Sequence, residues 1–121
     1  DPLLLGIKAL HAYAYVSCET ILTREGIIQQ NIASITLVSS SSKTFRIGDY
    51  EYRSRKLADQ YLYNAVGIEE RSGVKFARTE RAVADMLFFN PRTHFDGARR
   101  IDRRKVNAIQ KALGYPVISP I

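Results

Sequence analysis

Cysteine is nearly absent from this chain: Cys18 is the single thiol among 121 residues. One cysteine excludes a disulfide framework and any cysteine-based zinc cluster. Long apolar runs are missing as well, so no segment reads as a membrane span. No charged-then-apolar leader opens the chain, and a cytoplasmic location is the expectation. There is no GxxxxGK[ST] or GxGxxG loop to cradle a nucleotide. No GxSxG elbow and no helical HExxH pair is present. The two histidines, His11 and His94, are far apart in sequence. These absences leave no complete catalytic constellation, so a non-enzymatic protein without a cofactor or bound metal is the expectation. There is no internal repeat and no long linker.

What remains is the size and composition of one domain. The 13.7 kDa chain is 45% hydrophobic and 25% charged. Such a chain buries roughly two-thirds of its unfolded surface and needs no covalent staple. It opens on Asp1 rather than Met, as expected of a fragment or processed product.

Charge is plentiful and unevenly placed. The net charge is +6, from 18 basic and 12 acidic residues. Seven of the basic residues fall between Arg92 and Lys111, with only Asp96 and Asp102 to oppose them. That window nets +5, and the 11 basic and 10 acidic residues elsewhere leave the body nearly neutral. Clustering of this kind points to an acidic or nucleic-acid partner, or to a merely solvated helix face.

Local patterns divide the chain as follows. Leu3–Ala14 is apolar and helix-tolerant behind Pro2, and His11 within it reads as a structural histidine. Ser17 is a candidate N-cap for a helix that Gly26 ends. Cys18 reads as a small core-side residue. Residues 27–33 form a connector, and Ile35–Ser39 is a β-branched strand. Lys43–Ile47 and Tyr50–Arg55 alternate on either side of Gly48-Asp49, which predicts a hairpin. Leu57–Val66 fits neither periodicity. Gly67–Glu70 and Val74–Ala77 are short strands around Ser72-Gly73. Thr79 is an N-cap candidate, with Glu80 at the positive end of its helix. Ala82, Val83, Met86, Leu87 and Phe89 make the apolar stripe of that helix, and Asn90-Pro91 ends it. Asp102 is placed to cap a last helix, Arg103–Leu113, which Gly114 and Pro116 close. The sum predicts an α+β fold: a mixed, largely antiparallel sheet of about four strands with about four helices.

The last helix is the clearest amphipath. At ~100° per residue, Val106, Ile109 and Leu113 fall together. Arg100, Arg103, Arg104, Asn107, Gln110 and Lys111 fall opposite. Arg99, Arg100, Arg103, Arg104, Asn107 and Lys111 are therefore the candidate partner-binding residues, since arginine suits bidentate contacts to phosphate or carboxylate. Tyr50, Tyr52, Tyr61 and Tyr63 either stack bases on a sheet surface or pack the core and its rim. Glu69 and Glu70, as adjacent strand residues, point to opposite faces and share no metal. Asp49, Glu51 and Lys56 are the nearest approach to a nuclease set, with Asp49 better used in the turn. Asp85 stands four residues after Arg81, the helix spacing at which a carboxylate orders an arginine.

Three stretches carry a family resemblance. Tyr15-Val16-Ser17-Cys18-Glu19-Thr20-Ile21-Leu22, followed by Gly26-Ile27-Ile28, is the first. Ile35-Thr36-Leu37-Val38 with Thr44-Phe45-Arg46 and Tyr50-Glu51-Tyr52 is the second. The run from Phe76-Ala77-Arg78-Thr79-Glu80-Arg81 through Ala82-Val83-Ala84-Asp85-Met86-Leu87 is the third. In this order they resemble the C-terminal domain of the AbiEi antitoxins of bacterial abortive-infection systems, classed as type IV toxin–antitoxin systems. Ile21, Thr79 and Arg81 depart from that pattern, where Ala, Pro or Ser, and Lys are usual.

The resemblance implies a single α+β domain over 1–121 that antagonises a nucleotidyltransferase-like toxin, with or without direct contact. It also implies an upstream winged helix, missing here, that binds operator DNA and autoregulates the operon. A stand-alone nucleic-acid-binding module using the Arg-rich last helix is the alternative expectation.

Overall fold

The structure is a computed structural model that describes residues 1–29 and 34–120. The part of the expected connector at 30–33 lies outside the described residues. In chain order the elements are α1 (Pro2–Ala9), β1 (Ala14–Val16), α2 (Glu19–Arg24), β2 (Ser34–Ser39), β3 (Lys43–Ile47) and β4 (Tyr50–Lys56). They continue with α3 (Asp59–Leu62), β5 (Ile68–Arg71), β6 (Val74–Ala77), α4 (Thr79–Phe89), a 3-10 turn at Ala98–Arg100, and α5 (Arg103–Leu113).

The α+β class is as expected, but the element counts are not. Six strands form one mixed sheet in the order β3-β4-β2-β1-β6-β5, and five α-helices pack on it, among the described residues. Two hairpins, β3–β4 and β5–β6, flank a central antiparallel pair, β2–β1, and join it through parallel pairings. β1 is the strand the sequence conceals. It lies in an apolar run that continues α1, and only its three residues pair. His11 adopts φ 51 and turns the chain between the two elements. The side chain of His11 is exposed, so this histidine marks a turn and is not a core residue.

Register decides what each sheet face buries. Tyr15 opposes Val38, and the Tyr15 hydroxyl reaches Asp85 of α4, so this face lies under α2 and α4. Val16 opposes Leu37 on the other face, which α1 covers. Tyr52 shares that face, two residues before Ser54, the partner of Leu37. Its ring lies against Gly6, and its hydroxyl donates to the Pro2 carbonyl at 2.6 Å. Phe45 stacks on it from β3, with ring centroids 5.1 Å apart.

Gly6 is a close-approach residue. A Cβ there would overlap Cδ1 and Cε1 of Tyr52. Alanine has the better helix propensity by up to about 1 kcal/mol. Overpacking a fully buried ring costs about 1–3 kcal/mol. Gly6→Ala is therefore expected to lower stability despite its helix propensity, and urea unfolding followed by far-ultraviolet dichroism measures this. A stabilised variant would show that α1 is not pressed on Tyr52.

Candidate partner-binding surface

α5 is well specified from both ends. The Asp102 carboxylate accepts the Lys105 amide at 3.2 Å, and Gly114, at φ 87, closes the helix. Val106 and Leu113 are buried against the body, which stabilises the helix by about 1.5–3 kcal/mol for each side chain. Arg103, Arg104, Lys105 and Lys111 are all exposed. Arg99 and Arg100 precede them on the 3-10 turn and are exposed too. Among the described residues the ion pairs are Arg46–Glu51, Arg78–Glu69, Arg81–Asp85 and His94–Asp96. None of them uses a cation of this surface.

The placement of these cations works against the helix itself. Arg103, Arg104 and Lys105 occupy the first turn of α5, which carries no acidic residue. Cations at the positive end of a helix dipole are unfavourable by about 0.3–1 kcal/mol each. Only Lys111, in the last turn, complements the dipole. The field of the helix end and the field of the side chains therefore add, and both favour an anionic partner.

Two residues leave the expected face. Gln110 is 1% exposed, and its amide brackets the backbone of Ile118, donating to the carbonyl at 2.8 Å and accepting the amide at 3.2 Å. The chain after Gly114 folds back over the helix, so a position that is outward on an isolated helix lies inside the protein. Asn107 is half-buried, and its Oδ1 is buried with no hydrogen-bond partner. It stands ~100° from Val106 around the axis, at the border of the buried stripe. Asn107 is thus removed from the open basic face, while Arg99, Arg100, Arg103, Arg104 and Lys111 remain.

The loop before α5 is clipped to the turn after α2. The Gly97 amide donates to the Ile27 carbonyl at 2.7 Å, and the Gln29 amide donates to Asp96 Oδ2 at 3.0 Å. Phe95 is 1% exposed and anchors the loop in the core. These contacts set Arg99 and Arg100 close to the Gly26 turn.

A second charged constellation is entirely internal. Arg81 and Asp85 are both 0% exposed and pair through Nε and Oδ1 at 3.2 Å. Asp85 also accepts from Tyr15 at 2.8 Å, Ser17 at 2.9 Å and Tyr115 at 2.7 Å. Arg81 donates to Tyr15 Oη and to the carbonyls of Tyr61, Asn64 and Val66. The helix spacing exposes the Arg81–Asp85 pair in the sequence. The hydroxyl partners, up to 70 residues away, leave no local signal. Buried throughout, the cluster ties α4 to β1, to the turn after α3 and to the segment after α5.

Several other candidates resolve plainly. Ser17 does not cap α2, because its hydroxyl is spent on Asp85 and Cys18 takes the N-cap position. Cys18 is fully buried, as expected, in the tight strand-to-helix turn at φ 59 and ψ −131. Burial pushes its thiol well above the ordinary value, and the charges of Asp85 and Glu19 add to that. A thiol in that state is no nucleophile. Thr79 is the first residue of α4 rather than its cap, which is Arg78. Tyr52 is buried and Tyr61 packs edge-on against Phe88 and Tyr115, whereas Tyr50 and Tyr63 are exposed. Glu69 pairs with Arg78 at 3.3 Å. Glu51 accepts the Ser34 hydroxyl at 2.7 Å and faces Arg46 at 3.5 Å, so its carboxylate is already engaged.

No helix among the described residues is long and apolar enough to cross a membrane. Comparison of the chain with protein-family models, curated proteins and solved structures returns no match.

Proposed function

We propose that this chain is a non-enzymatic regulatory domain that works by presenting a fixed basic surface to an anionic partner. One observation carries the reading: Arg99, Arg100, Arg103, Arg104 and Lys111 are exposed and free of carboxylate partners among the described residues, on elements anchored by Val106, Leu113 and Phe95. The AbiEi-like stretches give the surface a biological setting, an antitoxin domain that antagonises a nucleotidyltransferase-like toxin and assists an upstream operator-binding winged helix. That setting rests on the sequence resemblance alone.

The test is charge reversal. Arg103→Glu with Arg104→Glu is expected to leave the fold intact, since both side chains are exposed, and to stabilise it by about 0.6–2 kcal/mol per site by replacing first-turn cations with acids. The same variant is expected to lose toxin rescue and operator repression in cells carrying the full operon. Full rescue by a folded double variant would remove the basic surface from the mechanism.

The cation density of the surface also favours a second reading, a self-sufficient nucleic-acid-binding module. Its signature is salt. A surface neutralising about five phosphates loses affinity with a log–log slope near −4.5 on duplex DNA. Tight binding of random duplex by this chain alone, with that slope, would favour the module over the antitoxin domain.

A further inference from the structure

The basic surface is not flat. Between the turn at 26–29 and the loop at 94–100 lies a depression of about 430 Å³, lined by Gln29, His94, Asp96, Arg99 and Arg100 with backbone from Gly26 and Gly97. Its walls are held together. A Cβ on Gly97 would come within 2.9 Å of the Gly26 carbonyl oxygen, so the two loops touch backbone to backbone. The Gly97 amide bond to Ile27 and the Gln29 amide bond to Asp96 fasten both sides. The Arg100 guanidinium lies beside Gly26, where an added Cβ would stand 2.9 Å from Nη1.

The charge of the depression is directional. Asp96 is its one acid: Oδ2 accepts the Gln29 amide at 3.0 Å, and Oδ1 lies 3.5 Å from His94 Nε2. Arg99 and Arg100 have no such partner among the described residues. The volume falls within the range of sites that hold a small ligand, and two neighbouring guanidinium forks suit the tetrahedral oxygens of a phosphate. His94 and the Gln29 side chain, on the same rim, have donors and acceptors for a base or sugar edge.

From this we infer that the depression binds one nucleotide unit, with its phosphate on Arg99 and Arg100. This deepens the anionic-partner reading and rests on it: α5 supplies long-range attraction, and the depression supplies the specific contact. A free mononucleotide and the phosphorylated end of a single strand share this chemistry.

The experiment is a titration of the isotope-labelled chain, followed by amide resonances, with adenosine 5′-monophosphate, inorganic phosphate, and a short single strand with and without a 5′-phosphate. Shifts at Gly26, Gly97, Ala98 and Arg99 are expected, with a dissociation constant for the mononucleotide at or below about 1 mM. Arg99→Ala with Arg100→Ala is expected to weaken binding at least about tenfold. Arg99→Lys with Arg100→Lys keeps the charge and loses the fork, and is expected to weaken it about threefold or more. Arg103→Glu with Arg104→Glu removes only the screened long-range attraction, and is expected to weaken mononucleotide binding less than Arg99→Ala with Arg100→Ala does. Tighter binding of the phosphorylated strand than of the mononucleotide identifies the strand end as the source, and the reverse identifies the free nucleotide. Either order upholds the site.

No shifts at about 10 mM mononucleotide, shifts confined to α5, or unchanged binding by a folded Arg99/Arg100 variant would overturn it. Absent binding together with loss of rescue in the Arg103/Arg104 variant would overturn the depression and leave the basic surface standing. Binding together with full rescue would do the opposite.

Discussion

Asp85→Ala is expected to destabilise the protein by about 3–5 kcal/mol, the range for removing one member of a buried ion pair. Arg81 would keep its charge in the interior, with its carbonyl contacts intact and its counter-ion gone. Three hydroxyls, from Tyr15, Ser17 and Tyr115, would lose their common acceptor at the same time. A domain of this size has about 5–15 kcal/mol in total, so the loss is a large share of its stability. Urea unfolding measures the loss, and a change below about 1 kcal/mol would show that the cluster is not paired as described. Adding Arg81→Met to Asp85→Leu removes the uncompensated charge. The double variant is therefore expected to be less destabilised than the sum of the singles, with a coupling of about 0.5–3 kcal/mol.

The same cluster makes the fold sensitive to alkali. Burial raises the phenols of Tyr15 and Tyr115 well above their ordinary value of 10.0, and the Asp85 charge raises them further. In the unfolded chain both phenols ionise near pH 10. Below that pH the two states bind the same protons, and the phenols leave stability unchanged with pH. Above it the unfolded state releases protons that the folded state retains, so stability falls as pH rises. Each phenol contributes about 1.4 kcal/mol of loss per pH unit, so the pair gives nearly 3 kcal/mol per unit. Phenolate absorbance should show Tyr15 and Tyr115 ionising only with loss of the fold. Tyr115→Phe should roughly halve the slope, although it also removes a hydrogen bond from Asp85. Ionisation of all seven tyrosines in one simple step near pH 10, with the fold intact, would sink the idea.

These effects and the basic surface depend on the same construction. Tyr115 reaches Asp85 from just beyond α5, and Gln110 holds Ile118 against the helix. The inner side of α5 and the segment after it are bonded into the core, so its outer side is held in one orientation. Reversing charges on the outer side tests function without touching the interior. Cutting the Asp85 bonds tests the mounting.

Much of this was legible in the chain itself. Alternation around Gly48-Asp49 located the first hairpin, because a strand face repeats every second residue, and the turn signal at Ser72-Gly73 located the two short strands that pair as the second. Asp102 and Gly114 bounded α5, because unpaired groups at helix ends need local partners. The crowding of arginine between 92 and 111 marked the candidate surface, and the spacing of Arg81 and Asp85 marked their pair.

The rest depended on contacts between distant segments. β1 could not be told from a helix extension, because its hydrogen bonds go to β2 and β6 and not to its own neighbours. Gln110 and Asn107 left the outer face because the folded-back segment and the border of the buried stripe decide what is outside, and an isolated helical wheel contains neither. Ser17 lost its capping role to Asp85, 68 residues away. Local pattern determined where helices, turns and charges lie along the chain, since those follow from backbone geometry within a few residues. Only the tertiary structure decided which polar groups are buried together and which cations stay free, since desolvation and pairing are properties of the assembled core.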